Sequence, residues 1–194
     1  MAGDRAAPPE DKPLRLFAAV EIPQNTKDEV ERAVSPWRQR LPAAKWVRPE
    51  NWHVTVKFLG RTDPGLLARV HDACAVAAAG IRPFRVELDG LGVFPRPKRA
   101  RVFWVGLDDE GGMATLASAL DKELEREFPP EKRPFSAHLT VARLNPPAPV
   151  DVDGLERSAV EAAPFRVGHL VLFRSHLSPK GARYEPLAAF PLRG

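Results

Sequence analysis

Two histidines each stand two residues before a threonine: His53 and Thr55 in "HVTV", His138 and Thr140 in "HLTV". In an extended strand, residues two apart project to one face. Each pair therefore presents an imidazole and a hydroxyl together, while Val54, Val56, Leu139 and Val141 fill the opposite, core-facing side. Histidine titrates near pH ~6.5, so one ring can take a proton from an attacking water while a second, charged, gives one to a departing alkoxide. Two hydroxyls between such rings can hold the non-bridging oxygens of a phosphoryl centre during in-line displacement. Arg143 offers a guanidinium for the same phosphate. Strand parity puts it on the wrong face, and the "LNPPAP" that follows predicts that the strand ends there.

One HxT pair alone reads as a hydrogen-bonded structural histidine. Two gain meaning because the chain is written twice. "RLFAAVEI" at Arg15 resembles "RVFWVGLD" at Arg101, "HVTV" precedes "HLTV", and "PFRV" at Pro83 recurs letter for letter at Pro164, with offsets of 86, 85 and 81 residues. Three matches in one order at nearly constant spacing argue for two copies of one unit with diverged loops. A pseudo-twofold axis relating the copies would bring both HxT pairs to one cleft.

The elements that must position these residues follow from periodicity. Arg15–Ile22 and Arg101–Leu107 are rich in β-forming residues and read as strands, as do "ELDGLGVF" and "GHLVLFRS" after each PFRV. "NTKDEVERAVSPWRQRL" predicts a helix capped at Asn25 or Thr26. "GMATLASALDKELEREF" places Met113, Leu116, Leu120, Leu124 and Phe128 at helical steps, and "GLLARVHDACAVAAAG" predicts a helix ending at Gly80. Gly90 and Gly92 predict a bend or bulge, not a phosphate cradle. The expected fold is α+β: two antiparallel sheets with outer helices, related by a pseudo-twofold about a central cleft. Residues 1–13 read as a flexible tail and 14–194 as one bilobal domain of two interleaved repeats.

Composition narrows the function. Lys and Arg exceed Asp and Glu by 29 to 25, a mild net charge of +4. The distribution says more, since "PRPKRAR" (Pro95 to Arg101) holds four basic residues in seven and no acid. Beside a phosphate site it reads as a basic rim. Cys74 is the only cysteine, which excludes an intrachain disulfide and a cysteine metal cage. Two imidazoles are too few ligands for zinc, and no Asp, Glu or Cys stands at ligand spacing in either HxT segment, so no metal is expected. His71, His169 and His176 lack a counterpart in the other copy and are not expected in the chemistry. No apolar run approaches the ~20 residues that span a bilayer, no signal pattern opens the chain, and a cytoplasmic location is the default.

With these residues in hand, the chain resembles the 2H phosphoesterase superfamily, whose signature is two HxTx motifs in a duplicated fold. Within it the resemblance is to the bacterial and archaeal RNA 2′,3′-cyclic phosphodiesterase family, also called 2′-5′ RNA ligases. It runs from Arg15 to Leu192 through "RLFAAVEIP", "WVRPENWHVTVKFLG", "GLGVFPRP", "RVFWVGL", "RPFSAHLTVARL" and "SHLSPKGARYEPL". The resemblance implies metal- and cofactor-free hydrolysis of an RNA terminal 2′,3′-cyclic phosphate to a 2′-phosphomonoester, with reversible 2′-5′ ligation as the related reaction. It makes His53 the general acid, His138 the general base, and Thr55, Thr140 and Arg143 the phosphate ligands. Ala137 replaces a common family proline, and Ala18 replaces the second aromatic residue of the opening strand. If ring stacking grips a base, Trp46 or Phe94 would supply it. Small cyclic nucleotides, such as ADP-ribose cyclic phosphate, remain an alternative substrate, and a non-catalytic module that binds RNA ends an alternative role. A monomer without membrane attachment is expected.

Overall fold

The computed structural model describes residues 12–151, 154–155, 160–179 and 181–194, so nearly all of the expected N-terminal tail lies outside the described residues. The elements run β1 (Leu14–Glu21), α1 (Gln24–Arg40), β2 (Lys45–Trp46), β3 (His53–Thr62), α2 (Leu67–Ala79), β4 (Phe84–Phe94), β5 (Ala100–Asp108), α3 (Gly112–Leu124), β6 (His138–Ala148), β7 (Phe165–Val167), β8 (His169–Ser178) and β9 (Gly181–Pro191). They form two antiparallel sheets, β3-β1-β8-β9 and β2-β6-β5-β4-β7, as the α+β reading expects.

The sheets show how the two copies interleave. In one, the HxT strand β3 pairs with β1 of its own copy, but β1's other neighbour is β8 from the second copy. In the other, β6 pairs with β5, whose other neighbour is β4 from the first copy. The two PFRV segments pair with each other: Phe84 lies opposite Val167, Arg85 opposite Arg166 and Val86 opposite Phe165. This register maps onto itself when the copies are exchanged, so the pseudo-twofold passes between Arg85 and Arg166. From that crossing, β4 and β8 diverge into different sheets. We infer that residues 14–194 fold as one unit, because each sheet needs a long strand from the other repeat.

The helical stripes pack as their spacing requires. Met113, Leu116, Leu120 and Leu124 of α3 are all fully buried, and Val70, Ala73, Cys74, Ala77 and Ala78 of α2 join them in one apolar cluster. That helix ends at Gly80 as expected, but α3 stops at Leu124, leaving Phe128 beyond it. Asp109, itself buried, accepts hydrogen bonds from the backbone N–H of Gly111 (3.3 Å) and Met113 (2.6 Å) and so closes the start of α3. The cap expected at Asn25 or Thr26 is not used. Instead α1 begins at Gln24, Pro23 stands at the cap position, and its carbonyl accepts from Lys27 N–H (3.0 Å), while Thr26 is buried. Proline's fixed φ suits the start of a helix, and its missing N–H costs nothing where no intrahelical partner exists. No helix among the described residues is long and apolar enough to cross a membrane.

One buried charge links the copies. Lys57 of β3 is 4% exposed and forms a salt bridge with Asp121 of α3. Removing one partner of a buried pair strands the other charge. Asp121→Ala is therefore expected to cost about 3 kcal/mol in denaturant unfolding, and Lys57→Met in the same chain to recover most of it. A loss well under 1 kcal/mol for Asp121→Ala would show that Lys57 reaches water without its partner.

Candidate active site

β3 and β6 pack against one another, and His138 lies near enough to His53 for its charge to act on that ring. The same seven-residue burial pattern opens both strands: partly buried His, buried Val or Leu, partly buried Thr, two buried residues in succession, one exposed, one buried. Two consecutive buried residues break a period of two, and the pairing shows why. Ala19 faces Thr55 while Ala18 faces Lys57, which leaves Val56 as an extra residue; Trp104 faces Thr140 while Phe103 faces Ala142, which leaves Val141 extra. A bulge of this kind shifts every later side chain to the other face. Arg143 therefore shares the face of His138 and Thr140. The expectation that β6 ends there is corrected, since the strand continues to Ala148 and the bulge re-aims the side chain.

The imidazoles are braced alike. His53 Nδ1–H donates to the carbonyl of Asn51 (2.7 Å), and His138 Nδ1–H donates to the carbonyl of Ser136 (2.8 Å), in each case two residues upstream. The carbonyl fixes the tautomer, in which Nε2 is the basic ring atom. The surroundings differ. His53 sits against Phe17 (ring centroids 4.7 Å apart) and edge-on to Tyr184 (5.0 Å), in a second apolar cluster of Phe17, Ala19, Val171 and Phe173. Burial lowers its pKa from 6.5 to about 4; the Asn51 carbonyl opposes that shift, and positive charge on Arg143, Lys27 and His138 adds to it. His138 meets a single ring edge-on, that of Phe94 at 5.1 Å.

The pseudo-symmetry is thus broken in side chains. Phe58 holds on β3 the place that Arg143 holds on β6; it lies opposite Phe17, is 49% exposed, and Arg15 stands 4.9 Å from its ring centroid. Trp104 faces Thr140, and its indole lies over Gly92, where an added Cβ would come within 2.2 Å of the ring. Gly90, at φ 63°, sits in the register shift between Leu88 and Leu91, the bulge that the glycine pair predicts. Trp46 turns away from Arg143's face. It packs edge-on against Phe103 (5.8 Å) and carries Arg38 at 4.7 Å over its ring, so of the two proposed stacking residues Phe94 is the one whose ring meets an HxT histidine.

These features are those of a known group. The family model described as LigT like Phosphoesterase matches the chain twice in succession, over residues 20–104 and 105–184. The chain belongs to the LigT-like phosphoesterases. The RNA 2′,3′-cyclic phosphodiesterase of Geobacillus stearothermophilus is 34% identical over 185 residues, covering 94% of this chain and 59% of that protein. The one from Methanothermobacter thermautotrophicus is also 34% identical, covering 92% of this chain and 99% of its own. Among solved structures, TT0787 of Thermus thermophilus superposes with TM-score 0.79 at 31% identity, covering 93% of this chain and 99% of that one. E. coli LigT complexed with NADP+ superposes with TM-score 0.70 at 25% identity, covering 94% and 100% respectively.

Two cationic residues of this LigT-like phosphoesterase escaped the sequence reading. Lys45 on β2 lies directly opposite Arg143, so the two exposed cations share a face. Lys27, in the first turn of α1, also acts electrostatically on His53. Neither carries a motif, and a lysine at a strand or helix end looks like any solvated residue. Two of the other histidines have side-chain partners: His71 packs on Phe190 (4.9 Å), and His176 Nε2–H donates to Glu185 (2.6 Å), whose pKa that bond lowers. Cys74 is fully buried, and burial pushes its thiol to about 12, which makes it inert. Among the described residues no group of three or more His, Cys, Asp or Glu gathers as a metal site would require.

Proposed function

We propose that this phosphoesterase hydrolyses the terminal 2′,3′-cyclic phosphate of RNA to a 2′-phosphomonoester, by two-histidine acid/base catalysis without a metal. The observation that carries the proposal is the pair of HxT sites with identical bracing, each Nδ1 tied to the carbonyl two residues upstream and each Nε2 left for proton transfer. His138 Nε2 takes a proton from water as its oxygen attacks phosphorus. The P–O3′ bond breaks, and His53 Nε2 protonates the departing O3′. Thr55 and Thr140 hold the non-bridging oxygens from either side, and Arg143 neutralises the charge that builds on them. An RNA 5′-hydroxyl in place of water would form a 2′-5′ linkage through the same steps.

His53 is neutral in the free protein, so it must take up a proton from solvent when the substrate's negative charge arrives. A bound phosphodiester anion offsets the positive charge of Arg143 and Lys27, which adds to burial in holding the ring neutral. Two relatives at 34% identity carry the name RNA 2′,3′-cyclic phosphodiesterase, and E. coli LigT takes NADP+, a nucleotide with a 2′-monophosphate. The test is to supply an oligonucleotide ending in a 2′,3′-cyclic phosphate, with and without EDTA, and identify the product. A 2′-phosphate formed at equal rates is expected. A 3′-phosphate, no turnover, or loss to EDTA restored by a divalent ion would each refute the proposal.

A further inference from the structure

The basic segment "PRPKRAR" has no part in the chemistry above, yet the fold delivers it to the rim of the site. Phe94, whose ring meets His138 at 5.1 Å, is the residue immediately before it. The pairing sets out a row across the five-stranded sheet: Lys45 on β2 opposite Arg143 on β6, Arg143 opposite Val102 on β5, and Val102 opposite Phe94 on β4. Adjacent strands lie about 4.8 Å apart, so Arg143 and Phe94 are separated by about 10 Å. The loop is fixed there by Val150 N–H, which donates to the Pro97 carbonyl (3.0 Å), and by the pairing of Ala100 with Ala148.

Pro95, Arg96, Arg99 and Arg101 line one open cavity of about 370 Å³. No carboxylate lines it, and among the described residues none of the three arginines takes part in a salt bridge. Three guanidinium groups around one space repel each other unless an anion shares it. Their planar forks suit phosphate oxygens. A second like-charge juxtaposition, Lys45 opposite Arg143, lies at the other end of the same row.

We propose that the Arg96–Arg99–Arg101 cavity binds a backbone phosphate of RNA upstream of the terminal cyclic phosphate, and that the enzyme therefore prefers chain ends to free cyclic nucleotides. The proposal rests on the phosphodiesterase reading of the HxT site and extends it from the reacting phosphate to the strand that carries it.

The test compares the wild type with Arg96→Ala/Arg99→Ala/Arg101→Ala, the first two exposed on the segment before β5 and the third exposed at the start of that strand, after melting curves have shown that both fold. Binding of a 3′-phosphorylated oligonucleotide, which needs no turnover, is expected to weaken about 10- to 100-fold. The slope of log Kd against log salt should fall by roughly 0.7 for each phosphate that the variant no longer neutralises. Turnover of a nucleoside 2′,3′-cyclic phosphate should stay unchanged. Equal oligonucleotide affinity in the two proteins, or an equal loss on nucleotide and oligonucleotide, would overturn the proposal. Failure of the wild type to turn over either substrate counts instead against the HxT reading, because the binding measurement stands without it.

Discussion

Replacing either His53 or His138 by alanine is expected to lower kcat on a 2′,3′-cyclic phosphate end by about 10²- to 10⁴-fold, the range that a positioned acid or base supplies. The double variant should lose little more than the worse single one, because one proton transfer without the other leaves the displacement incomplete. Both rings sit on strand positions braced by their own upstream carbonyls, but His53→Ala also removes ring contacts with Phe17 and Tyr184, so melting curves of both variants accompany the rates. The two variants separate when the leaving group changes. A phosphodiester that expels nitrophenolate needs no proton on the departing oxygen, so His53→Ala should recover most of its lost rate on such a substrate. The His138→Ala variant should not, because water still has to be activated. Recovery by His138→Ala alone would reverse the two roles, and recovery by neither would remove acid catalysis from the mechanism.

The candidate site was legible in the sequence because the HxT pattern is written in a period of two, and the duplication tied the second histidine to the first. Counting by two fails wherever the ladder is interrupted. The extra residues Val56 and Val141 turn Lys57 inward and Phe58 and Arg143 outward, and no residue type marks a bulge made by a valine. A signal was nevertheless present: an arginine in "HLTVAR" at a parity that its chemistry rejects suggests a bulge as readily as a strand end. The self-pairing of the two PFRV segments was hidden for a different reason. Sequence identity shows that two segments are equivalent, but only the position of the symmetry axis makes them neighbours. Trp46 could not be assigned to core or cleft without the register of β2, a two-residue strand whose partner lies almost a hundred positions along the chain.

Because His53 holds its neutral form down to about pH 4, kcat/KM is expected to stay level on the acid side until near that pH, then fall tenfold per unit. A histidine of ordinary pKa would already have begun the decline near ~6.5. This limb belongs to the pair, since the inactive species is the one with both rings charged. The profile of kcat reports the complex, where the substrate's charge offsets Arg143 and Lys27, so its acid limb should lie at higher pH than that of kcat/KM. The same shift governs folding. Above pH ~6.5 the ring is neutral in both states and contributes nothing. As pH falls below that, the unfolded chain takes up a proton that the folded one refuses, so stability declines until about pH 4 and levels off once the folded ring also charges. The whole loss from this group is about 3 kcal/mol, at about 1.4 kcal/mol per pH unit. Denaturant unfolding of wild type and His53→Leu at pH 7 and pH 4 isolates it: the leucine variant should lose about 3 kcal/mol less on acidification. Equal losses in the two proteins, or a kcat/KM limb near ~6.5, would mean that His53 takes up its proton as freely in the folded protein as in the unfolded chain.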